Sequence, residues 1–302
     1  MSFAISGVYC AAATPLKEDG TPDLDLFGAH AKALLEEGCH GVALLGSTGE
    51  ANSFGIRERM DLLEAALSAG VPGAALLPGT STSAVTDTIA LTRHAVQAGV
   101  KGVVMLPPFY YKAFSDEGLF RFYARVIEGV GDDRLKVLLY HIPMLTGVPI
   151  SHSLIAMLRE AFPDTIVGIK DSDGKIENMQ AMAARFPNFG VLAGADPLLL
   201  PVLQAGGAGC ITASSNVVAR ELRTVYDHWN DPSRSEEVRA AQDTIVAWRN
   251  LTNAYVQLPT VKAMLARRRG NLGWLNVHPP FTPLTEPERE KVWAEMARLE
   301  SI

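Results

Sequence analysis

The regular alternation of short apolar runs with longer segments of helical periodicity is the feature that most constrains how this chain can fold. Eight runs rich in Val, Ile, Leu and Ala occur, most of them followed by Gly, Pro, Ser or Thr. Their starts lie roughly 15 to 35 residues apart, the length that a strand, a loop and a crossover helix need in a parallel sheet. Because the runs are apolar throughout, we predict strands that are buried on both faces. They are Val8–Ala13, Gly41–Leu45, Ala74–Leu77, Gly102–Leu106, Lys136–Tyr140, Ile166–Ile169, Val191–Ala193 and Gly209–Thr212.

The segments between the runs are amphipathic and predict helices, several of which end at a glycine suited to a C′ position. An open, doubly wound sheet shares this alternation of strands and helices. Eight strands of similar spacing instead favour the α/β class and a closed (β/α)8 TIM barrel. The helices include Asp25–Glu37, Ile56–Ser68, Ser83–Ala98 and Asp116–Glu128, and the glycines are Gly38, Gly70 and Gly99.

The chain of 302 residues is long enough for one such barrel and a surplus after the eighth run. We predict a barrel over residues 1–225 and a C-terminal helical extension over residues 226–302, packed on the barrel or on another subunit. The predicted helices of this part are Val218–His228, Glu236–Tyr255, Pro259–Arg268 and Glu286–Leu299.

Charge and cysteine content exclude several classes of partner. The net charge of −6 disfavours nucleic acid, whose binders carry clustered Lys and Arg. Cys10, Cys39 and Cys210 lie far apart with no metal-ligand spacing, which predicts no metal site and a reducing compartment. No basic segment precedes an apolar stretch at the N-terminus, and no apolar run approaches the roughly 18 residues of a membrane helix. We therefore expect a cytoplasmic protein with no membrane partner.

Lys170 is the most unusual of the polar residues that follow the predicted strands, where a barrel of this type places its active site. A lysine seldom ends a buried strand unless it is paired or functional. A desolvated amine can lose its proton near neutral pH and attack a carbonyl carbon. The alternative is a lysine that extends into solvent or pairs with the adjacent Asp171. The other strand-end residues are Thr14, Ser47, Thr48, Tyr110, Tyr140, Asp196 and Ser214–Asn216.

Two further strand ends carry candidate site residues. Gly46-Ser-Thr-Gly-Glu50 lies between a strand and a helix, so its N–H and hydroxyl groups could bind a carboxylate, or it could simply be a turn that caps the helix. Tyr140 could transfer protons at a reacting centre, although tyrosines at strand ends often serve packing. His141 must face the opposite side of the strand, which favours a structural role.

The motifs GSTGE, PPFYY, YHIPMLTG, GIKD and GCITASSNV follow one another in order along nearly the whole chain. Together they resemble the dihydrodipicolinate synthase / N-acetylneuraminate lyase family of pyruvate-dependent class I aldolases. The resemblance implies a lyase in which Lys170 forms a Schiff base with pyruvate or a related 2-oxo acid, without a metal or an added cofactor. It also implies that Ser47 and Thr48 bind the carboxylate and that Tyr140 is the general acid and base.

Further roles come from the same resemblance. Thr48 and Tyr110 match the family's proton-relay positions, with Tyr110 donated by a neighbouring subunit. That donation requires at least a dimer, and the family's usual state is a homotetramer, a dimer of dimers. Gly194 and Ile211 match backbone positions that line the pocket.

Departures from the family pattern bear on the substrate. Leu145 stands where dihydrodipicolinate synthases have an arginine that holds the aldehyde's carboxylate, which argues against that activity. Ser172 and Asp196 match sugar-hydroxyl contacts of the sialic acid lyases, whereas Pro197 and Ala213 do not. We expect a smaller substrate, such as a 2-keto-3-deoxy sugar acid or an arylidene pyruvate. The alternatives are a 4-hydroxy-tetrahydrodipicolinate synthase, a 2-keto-3-deoxy acid dehydratase and a non-catalytic 2-oxo-acid-binding relative.

Overall fold

A computed structural model describes residues 3–301, in which seven parallel strands form a nearly closed barrel. The strands hydrogen-bond in the order β2-β1-β7-β6-β5-β4-β3, so most neighbours in sequence are also neighbours in space. This is the predicted TIM-barrel fold. The strands are β1 Gly7–Ala11, β2 Gly41–Ala43, β3 Val103–Met105, β4 Val137–His141, β5 Ile166–Asp171, β6 Gly190–Ala193 and β7 Gly209–Thr212.

The prediction of a strand over Ala74–Leu77 was wrong. Gly73–Ala75 forms a 3₁₀ turn, and the segment behind it closes the barrel through two isolated parallel bridges, Val42 to Leu76 and Gly79 to Val104. Pro78 has no N–H to donate, so it interrupts the ladder between β2 and β3 at this point. The barrel is therefore closed by seven strands and one irregular segment.

Helices surround the barrel, and those after β7 continue into the C-terminal part. The predicted C′ glycines Gly38, Gly70 and Gly99 all have positive φ, a conformation in which glycine ends a helix at little cost. The helices are α1 Leu24–Glu36, α2 Ile56–Ser68, α3 Val85–Gln97, α4 Asp116–Val130, α5 Pro143–Thr146, α6 His152–Ala161, α7 Ile176–Arg185, α8 Leu199–Gln204, α9 Ser215–His228, α10 Ser235–Thr252, α11 Gln257–Arg269 and α12 Glu286–Glu300. None of these helices has the length and apolar character that a membrane crossing requires, within residues 3–301.

Apolar side chains form two layers around the strands. Outward-facing residues such as Val8 and Val191 pack under the helices, whereas inward-facing residues such as Leu138, Leu192 and Ile211 fill the barrel. Burial on both faces explains why the strands are apolar throughout. A lysine that enters this interior must therefore be accommodated by specific polar neighbours.

Candidate active site

A β-bulge in β5 turns Lys170 toward the inside of the barrel. The pairing between β4 and β5 shifts register so that Val137 pairs with Ile166 and Leu138 with Gly168. Val167 belongs to the inner apolar layer and Ile169 to the outer one, so the shift reverses the in-and-out alternation between them. Strict alternation from Val167 would have placed Lys170 among the helices. With the bulge, Lys170 lines an interior cavity.

Lys170 and Tyr140 are direct partners across the β4–β5 ladder. Partner residues on neighbouring parallel strands point to the same face, so both side chains enter the barrel. The Lys170 Nζ atom lies 4.1 Å from the centre of the Tyr140 ring. Lys170 is only 5% exposed, and no carboxylate of residues 3–301 lies within ion-pair distance of its amine. The amine therefore faces a phenol rather than an acid.

The electrostatic environment of Tyr140 favours ionisation of its phenol. Burial raises the pKa of Tyr140, but the positive charge of Lys170 and polar contacts with Ser47, Lys170 and Ser172 outweigh burial, so the pKa is lowered overall. A phenol with a lowered pKa is a better proton carrier near neutral pH. The pair thus combines a nucleophile with an adjacent acid and base.

Asp171 and His141 face away from the cavity, as their adjacent positions in the strands require. The Asp171 carboxylate accepts hydrogen bonds from Asp173 N (2.9 Å) and Asn178 Nδ2 (2.7 Å). The Nδ1 atom of His141 accepts from Ile150 N at 3.0 Å, and burial lowers the pKa of this ring. The alternative in which Asp171 neutralises Lys170 is therefore wrong, and His141 has the expected structural role.

The loop between Gly46 and Glu50 places Ser47 and Thr48 at the cavity. Leu45 and Glu50 on either side of it have left-handed φ values of 59° and 55°, an uncommon conformation that bends the chain sharply. The N–H groups of Ser47 and Thr48 donate to no protein acceptor in residues 3–301. Thr14 Oγ1 supports the loop by donating to Gly49 O at 2.9 Å. This backbone geometry suits an anion.

Gly194 and Ser172 approach each other closely at the ends of β5 and β6. Gly194 N donates to Asp171 O at 2.7 Å, and a Cβ atom on Gly194 would overlap the Ser172 side chain. Only glycine fits here, because Ser172 occupies the space that a side chain would need. Ile211 of β7 completes this part of the lining.

The cavity that contains Lys170 has a volume of about 440 Å³, within the usual range for small-molecule sites. It brings together most of the predicted site residues. Its near end comes from strand ends, and its far wall comes from α5, α10, α11 and the loop that carries Phe281. The predicted residues among its lining are Ser47, Thr48, Tyr140, Leu145, Lys170, Ser172, Gly194 and Ile211.

Two predicted site residues lie elsewhere. Tyr110 is 73% exposed and does not line the cavity; its ring contacts Tyr111 edge-on, with 5.2 Å between ring centres. Asp196 is fully buried behind the lining, where its Oδ2 atom accepts from Ser214 Oγ at 2.9 Å and contacts Arg249 Nη1 at 3.2 Å. Asp196 does not line the cavity, and its Oδ1 atom is buried without a hydrogen-bond partner in residues 3–301, so direct contact of Asp196 with the substrate stays a prediction.

Sequence reasoning missed the far wall. Arg249, Asn253, Gln257 and Phe281 all line the cavity but follow no strand. The available signal was weak: Arg249 lies one turn after the buried Ile245 on the inward face of α10. How that helix packs against the barrel is a tertiary feature that local patterns do not show.

Comparisons with known proteins agree with this fold. The chain matches the model of the dihydrodipicolinate synthetase family over residues 4–299. A DapA-like lyase of Chloroflexus aurantiacus is 33% identical over 294 residues, which cover 97% of this chain and 96% of that protein. YagE, a prophage protein of the dihydrodipicolinic acid synthase family from Escherichia coli, has a crystal structure in complex with pyruvate. It aligns with a TM-score of 0.89 and 28% identity over 98% of this chain and 99% of that one. The crystal structure of dihydrodipicolinate synthase from Agrobacterium tumefaciens aligns with a TM-score of 0.86 and 29% identity, over 97% of this chain and 99% of that one.

An α/β barrel with a buried strand-end lysine beside a tyrosine defines a lyase of the class I aldolase type. The chain belongs to the dihydrodipicolinate synthetase family. It is therefore an enzyme of the pyruvate-dependent class I lyases and aldolases, as the sequence motifs predicted.

Proposed function

We propose that the protein binds a 2-oxo acid as an imine on Lys170 and makes or breaks a carbon–carbon bond of that acid, with pyruvate as the common partner. The observation that carries this proposal is the position of the Lys170 amine. It is buried, it lies beside the Tyr140 ring, and no carboxylate of the described residues pairs with it. The complex of YagE with pyruvate supports pyruvate as the ligand class.

The chemistry follows from these two side chains. The Lys170 amine attacks the ketone carbon, and the carbonyl oxygen takes a proton to give a carbinolamine. Loss of water then forms the imine. When a base removes the proton of the C4 hydroxyl, the C3–C4 bond breaks, C4 leaves as an aldehyde, and the bonding pair forms an enamine by moving toward the protonated imine nitrogen. Tyr140 carries the proton at each step. Hydrolysis of the resulting enamine, after protonation at carbon, frees pyruvate and the amine, with no cofactor consumed.

Ser47 and Thr48 bind the carboxylate of the 2-oxo acid in this proposal. Their N–H groups have no protein acceptor in the described residues, and both side chains line the cavity beside Lys170. Hydrogen bonds to a charged acceptor are stronger than neutral ones, so two N–H groups and two hydroxyls suffice to orient the ketone. Gly194 and Ile211 line the same end of the cavity.

Tyr110 acts in the proposed proton relay only if a second subunit brings it to the cavity. Tyr110 and Tyr111 form an exposed aromatic pair, the kind of surface that marks a protein contact. We therefore include a homotetramer in the proposal, and the three cysteines, all free and buried, support a cytoplasmic location. Sedimentation analysis tests the assembly, and a monomer with full activity would exclude the donated Tyr110.

Leu145 makes dihydrodipicolinate synthesis unfavourable. It lines the cavity and is 66% exposed, and its side chain offers no donor to a carboxylate. We expect condensation of pyruvate with aspartate semialdehyde to be very weak. A coupled assay of that condensation checks this, and a rate like that of a lysine-pathway enzyme would contradict it. A 2-keto-3-deoxy sugar acid or an arylidene pyruvate remains the proposed kind of substrate.

Reductive trapping tests the central step. Incubation with pyruvate and borohydride should add the mass of a reduced pyruvate imine, and peptide mapping should place it on Lys170. The matched variant Lys170→Met should take up none. If the intact protein shows no adduct, the imine mechanism is excluded and a non-catalytic 2-oxo-acid-binding protein becomes the better description.

A further inference from the structure

The cavity lining is cationic, and its far wall is rich in hydrogen-bond donors. Two lining side chains carry positive charge, Lys170 and Arg249, and no lining side chain of residues 3–301 is acidic. Lys170 is used by the imine in the proposed function. Arg249 has no role in that chemistry, although its side chain is 21% exposed.

Arg249 is held in place by a buried acid. Its Nη1 atom lies 3.2 Å from Asp196 Oδ2, and Ser214 Oγ donates to the same oxygen at 2.9 Å. A guanidinium has five N–H donors, and among residues 3–301 only Nη1 of Arg249 has a protein acceptor. The ion pair anchors the guanidinium at Nη1, and its other N–H donors have no protein acceptor in residues 3–301.

Asn253 and Gln257 add to this donor group. Asn253 lies four residues after Arg249 on the same side of the helix end, and Gln257 begins α11. Gln257 Nε2 donates to Asn253 Oδ1 at 2.9 Å, so the oxygen of Asn253 is occupied and its amide N–H₂ group is left to donate. Both residues line the cavity.

We propose that Arg249, assisted by Asn253, binds a terminal anionic group of the substrate, a carboxylate or a phosphate, at the end remote from the 2-oxo acid. This inference rests on the proposed function and narrows its substrate class to 2-oxo acids that carry a second anionic group, such as a 2-keto-3-deoxy sugar acid with a terminal phosphate or carboxylate, over those whose remote end is neutral. Planar, directed donors match the oxygens of a carboxylate or phosphate. An ammonium group would find no acidic partner in the lining formed by residues 3–301, so substrates that carry one are disfavoured.

Because Asp196 balances the charge of Arg249, selectivity comes from directed hydrogen bonds more than from net charge. We therefore expect Arg249→Lys, which keeps the charge but loses the planar group, to be much poorer than the native residue. Hydrogen bonds to a charged group should favour the anionic substrate by about ten- to 100-fold.

Matched pairs of 4-hydroxy-2-oxo acids test the proposal. In each pair a terminal carboxylate replaces a terminal methyl, as in 4-hydroxy-2-oxohexanedioate and 4-hydroxy-2-oxohexanoate, and a third arm compares a 2-keto-3-deoxy sugar acid with its terminal phosphate ester. Pyruvate release gives kcat/KM for each compound. The ratio of anionic to neutral should be about ten- to 100-fold, and it should fall close to one in Arg249→Met. The carboxylate and phosphate arms show which anion is preferred.

Controls separate the specific effect from a loss of folding. Arg239→Met changes an exposed arginine of the same helix and should keep the ratio. If Arg249→Met does not fold because Asp196 is left unpaired, the double variant Arg249→Met/Asp196→Asn removes both charges. A ratio near one in the native protein, an unchanged ratio in the folded variants, or no cleavage of any anionic compound would overturn the proposal. Failure of the native protein to trap pyruvate would instead exclude the proposed function itself.

Discussion

Lys170 and Lys262 are both buried lysines, but their surroundings differ in the feature that decides what each can do. Lys262 of α11 is fully buried, and its Nζ atom lies 2.5 Å from Glu50 Oε1 and 2.5 Å from Asn276 O. Burial lowers the pKa of Lys262, and the Glu50 carboxylate opposes that shift. Among residues 3–301, no acid pairs with Lys170, and its side chain borders a cavity. Burial alone therefore does not identify a nucleophile.

The Lys262 pair supports the site from outside the cavity. Glu50 ends the loop that presents Ser47 and Thr48, and its Oε2 atom also accepts from His278 N at 2.8 Å. The pair therefore joins that loop to α11 and to the segment after it. One lysine does chemistry in the proposed function, and the other fixes the backbone that binds the carboxylate.

Replacing Lys170 should have the largest effect on chemistry. In Lys170→Met, enamine formation should fall by about 10⁴-fold or more, because no other group can form the imine. Exchange of the pyruvate methyl protons in D₂O, followed by proton NMR, measures the step without a known second substrate. The unfolding midpoint should stay the same or rise, because an unpaired buried amine is removed. Exchange that persists in this variant would contradict the assignment.

Replacing Lys262 should mainly lower stability. Lys262→Met leaves the Glu50 carboxylate buried without its partner, which should reduce the free energy of unfolding by about 3–5 kcal/mol. The folded fraction should still trap pyruvate on Lys170. The double variant Glu50→Gln/Lys262→Met should recover most of the loss, since it removes both charges and keeps an acceptor for His278 N. Urea unfolding measures the free energy of unfolding of the single and the double variant. If the double variant is equally unstable, lost packing rather than the unpaired charge is responsible.

Gly168→Ala tests whether the bulge positions the reactive lysine. A Cβ atom there would lie 2.7 Å from Leu138 Cδ2 and would also overlap Gly190 O, so β5 must shift against both neighbours. A displacement of about 1 Å at Lys170 should slow pyruvate exchange by roughly 10²-fold. Gly118→Ala in α4, where the nearest atom is Ser115 Oγ at 3.6 Å, is the matched control and should leave exchange unchanged. Equal exchange rates in the two variants would show that the bulge does not position Lys170.

Local patterns predicted the barrel well because its strands are short, continuously apolar runs and its helices have a helical period of apolar residues. The segment after Ala74 shows where that fails: its apolar side chains suit a strand, but Pro78 breaks the ladder. The bulge at Gly168 is also invisible in the sequence, since it depends on the register of two neighbouring strands. Pairing is a tertiary property, so a strict alternation misplaces Lys170.

The site was predictable at its strand ends and not at its far wall. Motifs that follow strands place Lys170, Tyr140 and Ser47 together because parallel strands end at one edge of the barrel. Arg249 and Phe281 reach the cavity through the packing of the C-terminal part, which no short pattern encodes. In the proposed mechanism Tyr110 reaches the cavity of a second subunit. Its role therefore depends on how subunits assemble, which local sequence patterns do not show.

The pKa of Tyr140 should respond to replacement of Lys170 but not of Lys262. This is the smallest and most specific of the expected differences between the two lysines. The pKa of Tyr140 lies below its ordinary value of about 10 because the Lys170 charge and polar contacts outweigh burial. Removing that charge in Lys170→Met leaves burial to dominate and should raise the pKa, whereas Lys262→Met should not move it. The signal is tyrosinate absorbance after subtraction of each variant's Tyr140→Phe counterpart. Because the pKa is lower in the folded state, ionisation of Tyr140 adds its full stability above the unfolded pKa, and that contribution is lost as the pH falls through the folded pKa. An unmoved pKa in Lys170→Met would mean that the amine carries no charge toward the phenol, and the distinction between the two lysines would then rest on geometry alone.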